Sequence, residues 1–150
     1  MLLPARHWSA RGPRDRMQTL WGGFAVLAPD CHLFFAGDTG YSRDFVEIRQ
    51  RLADRQREGG FDIALLPIGA YEPRWFMADQ HVNVDEALKI HRDVGARLSL
   101  GVHWGTFALT DEPLDEPPRR LIDARREAGL SEAEFFVMAV GETRLLPPRG

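Results

Sequence analysis

The chain has 150 residues, 44% of them apolar and 27% charged, with a formal net charge of −3. That is the length and balance of one soluble globular domain or part of one, able to bury roughly 70% of its unfolded surface. So mild an acidity gives no electrostatic case for nucleic acid or an anionic membrane as partner. Cys31, the single cysteine, excludes an internal disulfide and fits a reducing compartment. No apolar run approaches the ~20 residues of a membrane span. Pro4 and Arg6 cut Leu2-Leu3 short, so no signal-peptide pattern forms and a cytoplasmic location is expected.

Residues 1–18 are rich in Arg, Gly and Pro and read as a loop that carries His7 and Trp8. Residues 19–28 and 32–36 read as two strands, joined at Pro29-Asp30 into an antiparallel hairpin. Gly22-Gly23 marks a bulge or a close backbone approach inside the first. His32 faces the same way as Phe34 and Ala36 and reads as structural. Where this second strand runs out, Gly37 lets the chain turn, and the carboxylate of Asp38 is expected at the rim of a sheet.

Ser42 is placed to cap a helix running to about Arg57, with Phe45, Ile48 and Leu52 as its apolar stripe and Gly59-Gly60 as its stop. Residues 61–68 (FDIALLPI) form a nearly continuous apolar run, the mark of a strand covered on both faces, with Pro67 near its end. Residues 69–83 read as a long loop holding Arg74, Trp75, Phe76, Gln80 and His81. A loop of that length inside one domain is more often functional than idle. Asn83 and Glu86 have capping-box spacing for a helix ended by Gly95, and His91 lies on its apolar stripe as a core histidine. Residues 98–102 read as a strand in which Ser99 and Gly101 leave room beside His103. An acidic, Pro-rich loop comes next, and Pro117-Pro118 start a helix through Ala128. Ser131 and Glu134 make a second capping pair, and residues 135–140 and 143–146 read as a terminal hairpin. The order of elements makes an α/β layered domain.

One carboxylate and two imidazoles delivered to a rim by separate segments (Asp38, His7 and His103) are the ligand types taken up by zinc or a similar divalent metal. The spacing by itself is weak, for no HExxH or CxxC is present. His and Asp ligands leave zinc, manganese and iron all open.

PARHWSAR, FFAGDTGY, LLPIGAYEPRWFM, DQHVN and HWGTFALTDEPLDEPP, in that order, resemble the later half of the metallo-β-lactamase superfamily. The branch resembled is that of N-acyl-phosphatidylethanolamine-hydrolysing phospholipase D and its bacterial relatives. The resemblance implies the C-terminal half of an αββα sandwich over residues 1–150: one mixed sheet with flanking helices. It implies a zinc-dependent phosphodiesterase with two zinc ions, in which a metal-bound hydroxide attacks the phosphorus of a small-molecule or phospholipid substrate. By resemblance, Asp38 bridges the ions and shares the catalytic role with His81, while His7 and His103 complete the metal ligands. Gln80, His81 and Arg74 are the substrate-binding residues. The family's other ligands come from an HxHxDH motif that this sequence does not contain. The expectation is therefore half a site, inactive or weakly active alone, with self-association or a missing first half to cover an exposed sheet face. The alternative is a non-catalytic remnant or partner-binding half-domain. The sequence leaves membrane contact open.

Overall fold

The computed structural model describes residues 1–56 and 60–147. It contains one mixed sheet of six strands in sequence order: β1 (Leu2–Leu3), β2 (Gly23–Leu27), β3 (His32–Phe35), β4 (Phe61–Pro67), β5 (Ala96–Val102) and β6 (Phe135–Phe136). β1, β2 and β3 pair antiparallel, and β3 to β6 pair parallel. The helices are α1 (Asp44–Leu52), the single turn α2 (Arg74–Met77), α3 (Val84–Asp93) and α4 (Glu116–Ala128). Parallel neighbours require crossovers of one hand, so a sequential order places the crossover helices on one face. Phe45, Ile48 and Leu52 of α1, Val84, Ala87 and Ile90 of α3, and Leu121 and Ala124 of α4 share one core with Ala25, Phe34, Ala64 and Leu66 of the sheet. Phe34 stands at its centre, its ring 5.4 Å from Phe61 and 6.3 Å from Phe45.

The opposite face is apolar in register from strand to strand. Phe24 lies against Phe35, Val26 against Leu33, Ile63 between Leu33 and Leu98, and Leu65 between Phe35 and Leu100. Ile63, Leu98 and Phe136 form a small second cluster there, whereas Phe24 and Val26 are about half exposed. Residues 61–68 therefore form a buried strand as the sequence predicts, but the helices cover only one of its faces.

Several local expectations hold for physical reasons. Asn83 caps α3 in a full capping box with Glu86. His91 is buried and bonded to the Ser99 hydroxyl at 2.8 Å. The glycine pair at 22–23 is a close approach: a Cβ on Gly23 would stand 2.5 Å from the Phe35 carbonyl oxygen.

Others are corrected. The first loop is not wholly irregular, because Leu2-Leu3 pairs with β2 as an edge strand. α1 has Arg43 as its N-cap residue, with no side-chain cap, and ends at Leu52 before a 3₁₀ turn at Ala53–Arg55. The expected end near Arg57 and the stop at Gly59 lie outside the described residues. The long loop of residues 69–83 winds one helical turn at α2. The room expected beside His103 is filled, since Ser99 is taken by His91 and Gly101 packs on Ile68 and Val137. The terminal hairpin is absent: only Phe135–Phe136 pairs, and it does so parallel to β5. Beyond β6 the Glu142 amide closes a turn on the Ala139 carbonyl, and the described residues up to Pro147 make no strand pairing.

Truncating Phe34 to alanine opens a cavity at the centre of the helix-covered core. Phe34→Ala is expected to cost about 3–5 kcal/mol, read by urea denaturation, and a loss under about 1 kcal/mol would contradict the placement of Phe34. His91 has its pKa lowered, chiefly by burial. Below the ordinary histidine value the unfolded chain binds a proton that the folded chain resists, so stability falls as pH drops through about 6.5. His91→Gln should make the stability profile between pH 7.5 and 5.5 shallower than wild type, and an unchanged slope would contradict that account.

Candidate metal centre

Because β3, β4 and β5 run parallel, their C-terminal ends lie along one edge, the usual position of ligand sites in such sheets. Asp38 follows β3 across Gly37, which takes φ +66°. His81 lies in the loop after β4. His103 follows β5 directly in the left-handed region, at φ +60°. His7 arrives separately, on a segment held by a bridge between Arg6 and Gly40. Gly69 lets the β4 and β5 loops touch, for a Cβ there would meet the His103 carbonyl oxygen at 2.4 Å.

These four side chains converge. Ligand atoms of His7, Asp38 and His81 all lie within 4.8 Å of one another. His103 Nε2 is 3.4 Å from Asp38 Oδ1, and its ring stacks on that of His81 at 5.3 Å. Of the three residues expected as ligands, His7 and Asp38 lie together with His81, and His103 stands beside Asp38. His81, expected from the sequence to face substrate, stands among them.

The donor chemistry fits a cation. His7 Nδ1 is 2.8 Å from the Trp8 carbonyl oxygen, and His103 Nδ1 has a longer 3.4 Å contact with the Gly69 carbonyl oxygen. A ring that donates from Nδ1 keeps its lone pair on Nε2, the orientation a metal ligand needs. His7 Nε2 faces His81 Nε2 at 3.4 Å. Burial, opposed by the Asp38 charge, pushes the His81 pKa down to about 4. Its imidazole is therefore neutral near pH 7, and its buried Nδ1 has no hydrogen-bond partner among the described residues. Two imidazole nitrogens facing beside a carboxylate is an arrangement that a cation between them would satisfy.

The centre opens into a cavity of about 590 Å³ whose walls include Trp8, Phe76, Gln80, Leu109 and Thr110. A second cavity of about 340 Å³, walled by Trp104, Phe107, Leu109 and Leu114, shares Ala70, His103, Leu109 and Thr110 with the first. Gln80, expected from the sequence to bind substrate, lines this cavity, with its Oε1 accepting from the Trp8 indole. Arg74 is not in it: its guanidinium donates to the carbonyls of His81 (2.8 Å) and Tyr71 (3.3 Å) and pairs with Glu86 (2.8 Å). In this position Arg74 fixes the backbone of His81.

Sequence reasoning missed Glu112. Its Oε1 accepts from the amides of Ala70 (2.6 Å) and Tyr71 (3.1 Å), and its Oε2 from the Glu72 amide (3.0 Å). Burial by itself would raise this carboxyl, but the amide donors outweigh it and its pKa is lowered. Glu112 thereby ties the loop after β5 to the loop after β4. The acidic stretch DEPLDEPP was the available signal, though nothing in it distinguishes Glu112 from its neighbours.

Residues 1–104 match the beta-lactamase superfamily domain family. Over 145 residues the chain is 43% identical to N-acyl-phosphatidylethanolamine-hydrolyzing phospholipase D 1 of Caenorhabditis elegans, covering 93% of this chain and 38% of that protein. Over 120 residues it is 45% identical to the mitochondrial N-acyl-phosphatidylethanolamine-hydrolyzing phospholipase D of Saccharomyces cerevisiae, covering 79% and 25% respectively. The chain thus spans between a quarter and two fifths of the length of these relatives. Among solved structures it resembles Igni18, a metallo hydrolase of the archaeon Ignicoccus hospitalis, with a TM-score of 0.60 and 23% identity over 94% of this chain and 49% of that one. That likeness supports the α/β architecture.

Glu112→Gln replaces the charged acceptor by a neutral amide. It should cost on the order of 1 kcal/mol and speed amide exchange at Ala70 and Glu72 relative to β4; unchanged exchange there would show that Glu112 does not hold the two loops together. The sequence motifs, the sheet that carries them and the match over residues 1–104 agree, and the chain belongs to the beta-lactamase superfamily domain family.

Proposed function

We propose that this chain carries part of the centre of a metal-dependent hydrolase acting on phosphodiesters with an apolar tail. The observation that supports it most is the convergence of His7, Asp38 and His81 within 4.8 Å, with His103 against Asp38. Two imidazoles and one carboxylate supply three of the four ligands of a tetrahedral zinc site, the open position left for water or substrate, with His103 beside Asp38. A divalent cation held there supplies Lewis acidity, polarising a phosphoryl oxygen and lowering the pKa of a nearby water. The two-zinc complement implied by the family needs more donors than this, and the described residues form one such group only.

The chain's own residues do the rest. His7, His81 and His103 present imidazole nitrogens, and Asp38 a carboxylate oxygen. Gln80, in the cavity wall, is the proposed amide donor to a phosphate oxygen, its Nε2 at present making only a long 3.5 Å contact with the Phe76 carbonyl. Arg74 acts behind the site by fixing the His81 backbone. In hydrolysis a water oxygen bonds to phosphorus as the ester P–O bond breaks, and the leaving oxygen takes up a proton. The adjoining cavity of Trp104, Phe107, Leu109 and Leu114 accepts the apolar part of the substrate and keeps water from it. A phospholipid, the substrate class named for the nematode and yeast relatives, has both parts.

A second reading, a partner-binding half-domain without catalysis, draws on the apolar sheet face that carries no helix. No helix among the described residues is long and apolar enough to cross a membrane.

The two readings separate in one experiment. Metal content is measured by elemental analysis after loading with zinc, manganese or iron, alongside hydrolysis of a bis-aryl phosphodiester. Wild type should hold about one equivalent and show metal-dependent turnover, while His7→Ala, Asp38→Ala and His81→Ala should each lose stoichiometric metal. Unchanged metal content in all three would overturn the centre. Metal binding without turnover on any phosphodiester would favour the partner-binding reading.

A further inference from the structure

Three of the four converging residues sit on segments that are remote in sequence and irregular in structure, and a single arginine touches all three segments. The Arg6 amide donates to the Thr39 hydroxyl at 3.0 Å, and its carbonyl accepts from the Gly40 amide at 2.9 Å. Its guanidinium donates through Nη1 to the Tyr41 carbonyl at 3.2 Å and through Nη2 to Asp79. Arg6 thus precedes His7, brackets the residues after Asp38, and grips the loop two residues before His81. Thr39 completes the junction: it is fully buried, and its carbonyl accepts from the Val82 amide at 2.8 Å, just after His81. There is no slack here, since a Cβ on Gly40 would stand 2.6 Å from the Asp79 backbone.

We propose that Arg6 is a positioning residue for the centre: its guanidinium fork sets the distances among His7, Asp38 and His81. This inference rests on the metal reading and adds a residue which that reading does not use. The distinction from a stabilising role is a matter of magnitude. The Arg6 and Asp79 side chains are 49% and 83% exposed, so their ion pair contributes little to folding. A metal site, by contrast, is sensitive to ligand displacements of about half an ångström, and outer contacts that orient ligands commonly set affinity by about 10–100-fold. Lysine cannot replace the fork, because one ammonium on a flexible stem does not present two fixed donors to the Tyr41 carbonyl and the Asp79 carboxylate together. The backbone bonds of residue 6 remain in any variant, so a side-chain change tests the fork alone.

The test compares wild type, Arg6→Met and Arg6→Lys in two measurements. The first is amide hydrogen exchange in the metal-free protein at Gly40 and Val82, with β4 amides as the internal reference. Arg6→Met should raise exchange at both junction amides and leave β4 unchanged, with thermal stability nearly the same. The second is affinity for zinc by chelator competition, where Arg6→Met should bind about tenfold more weakly and Arg6→Lys should fall between it and wild type. Equal exchange at Gly40 and Val82 in all three proteins would overturn the proposal. So would altered exchange with unaltered zinc affinity, since the fork would then order loops without setting the ligands. A wild type that binds no zinc would overturn the metal reading, and Arg6 as a positioning residue with it, whereas zinc binding by wild type with no effect of Arg6→Met on either readout would overturn only the role of Arg6.

Discussion

The direction of three strands governs this molecule. Had β4 run antiparallel to β3, its outgoing loop would leave from the opposite edge, and His81 could not approach Asp38. With β3, β4 and β5 parallel, every outgoing loop leaves on the same side, and each delivers one polar residue there: Asp38, His81 and His103. Parallel pairing also requires a crossover after each strand. That requirement gives α1, α3 and α4 their places and fills the layer beneath the site with Phe34, Phe45, Ile48 and Ile90. Sheet direction is thus the common cause of the packed core and of the convergence at its rim.

A rim built from loops must be fixed by something other than ladder hydrogen bonds. Here the bonds run from backbone to side chain and from loop to loop. Arg74 holds the His81 carbonyl while paired with Glu86, the same carboxylate that completes the cap of α3. Glu112 binds three successive amides of the β4 loop and so secures the wall shared by the two cavities. Helix caps, loop anchors and metal-ready side chains are therefore one connected set. Loosening an anchor would cost little folding energy and much geometric order, which is why their effects separate from those of core residues such as Phe34.

The legible parts of the sequence are those in which local chemistry decides structure. Asn83 and Glu86 announce a cap because the box closes within four residues, and FDIALLPI announces a buried strand because every residue in it but Asp62 is apolar. Asp38 and His103 are legible as rim residues because each follows a strand whose end Gly37 or His103 itself marks. His81 as a partner to His7 is not, since their meeting depends on contacts made across 33 and 73 residues by Arg6. The terminal hairpin misleads for a related reason. Phe135 and Phe136 have the composition of a strand, but what recruits them is the free edge of β5, and that pairing is parallel and leaves residues 143–146 without a partner strand. Periodicity describes what a segment can bury; which neighbour it meets is decided elsewhere in the chain.

The two faces of the sheet differ in what rests on them. On the helix side, small residues such as Ala25, Ala36 and Ala64 admit helices closely, and the core is dense. On the other, Ile63, Leu98 and Phe136 are buried in a small cluster, while Phe24, Val26 and Phe35 form an exposed apolar strip on which no described helix rests. A face of that kind is poorly matched to water. It also lies beneath the same strand ends that lead to Asp38 and His103, so any layer packed on it would arrive beside those two side chains.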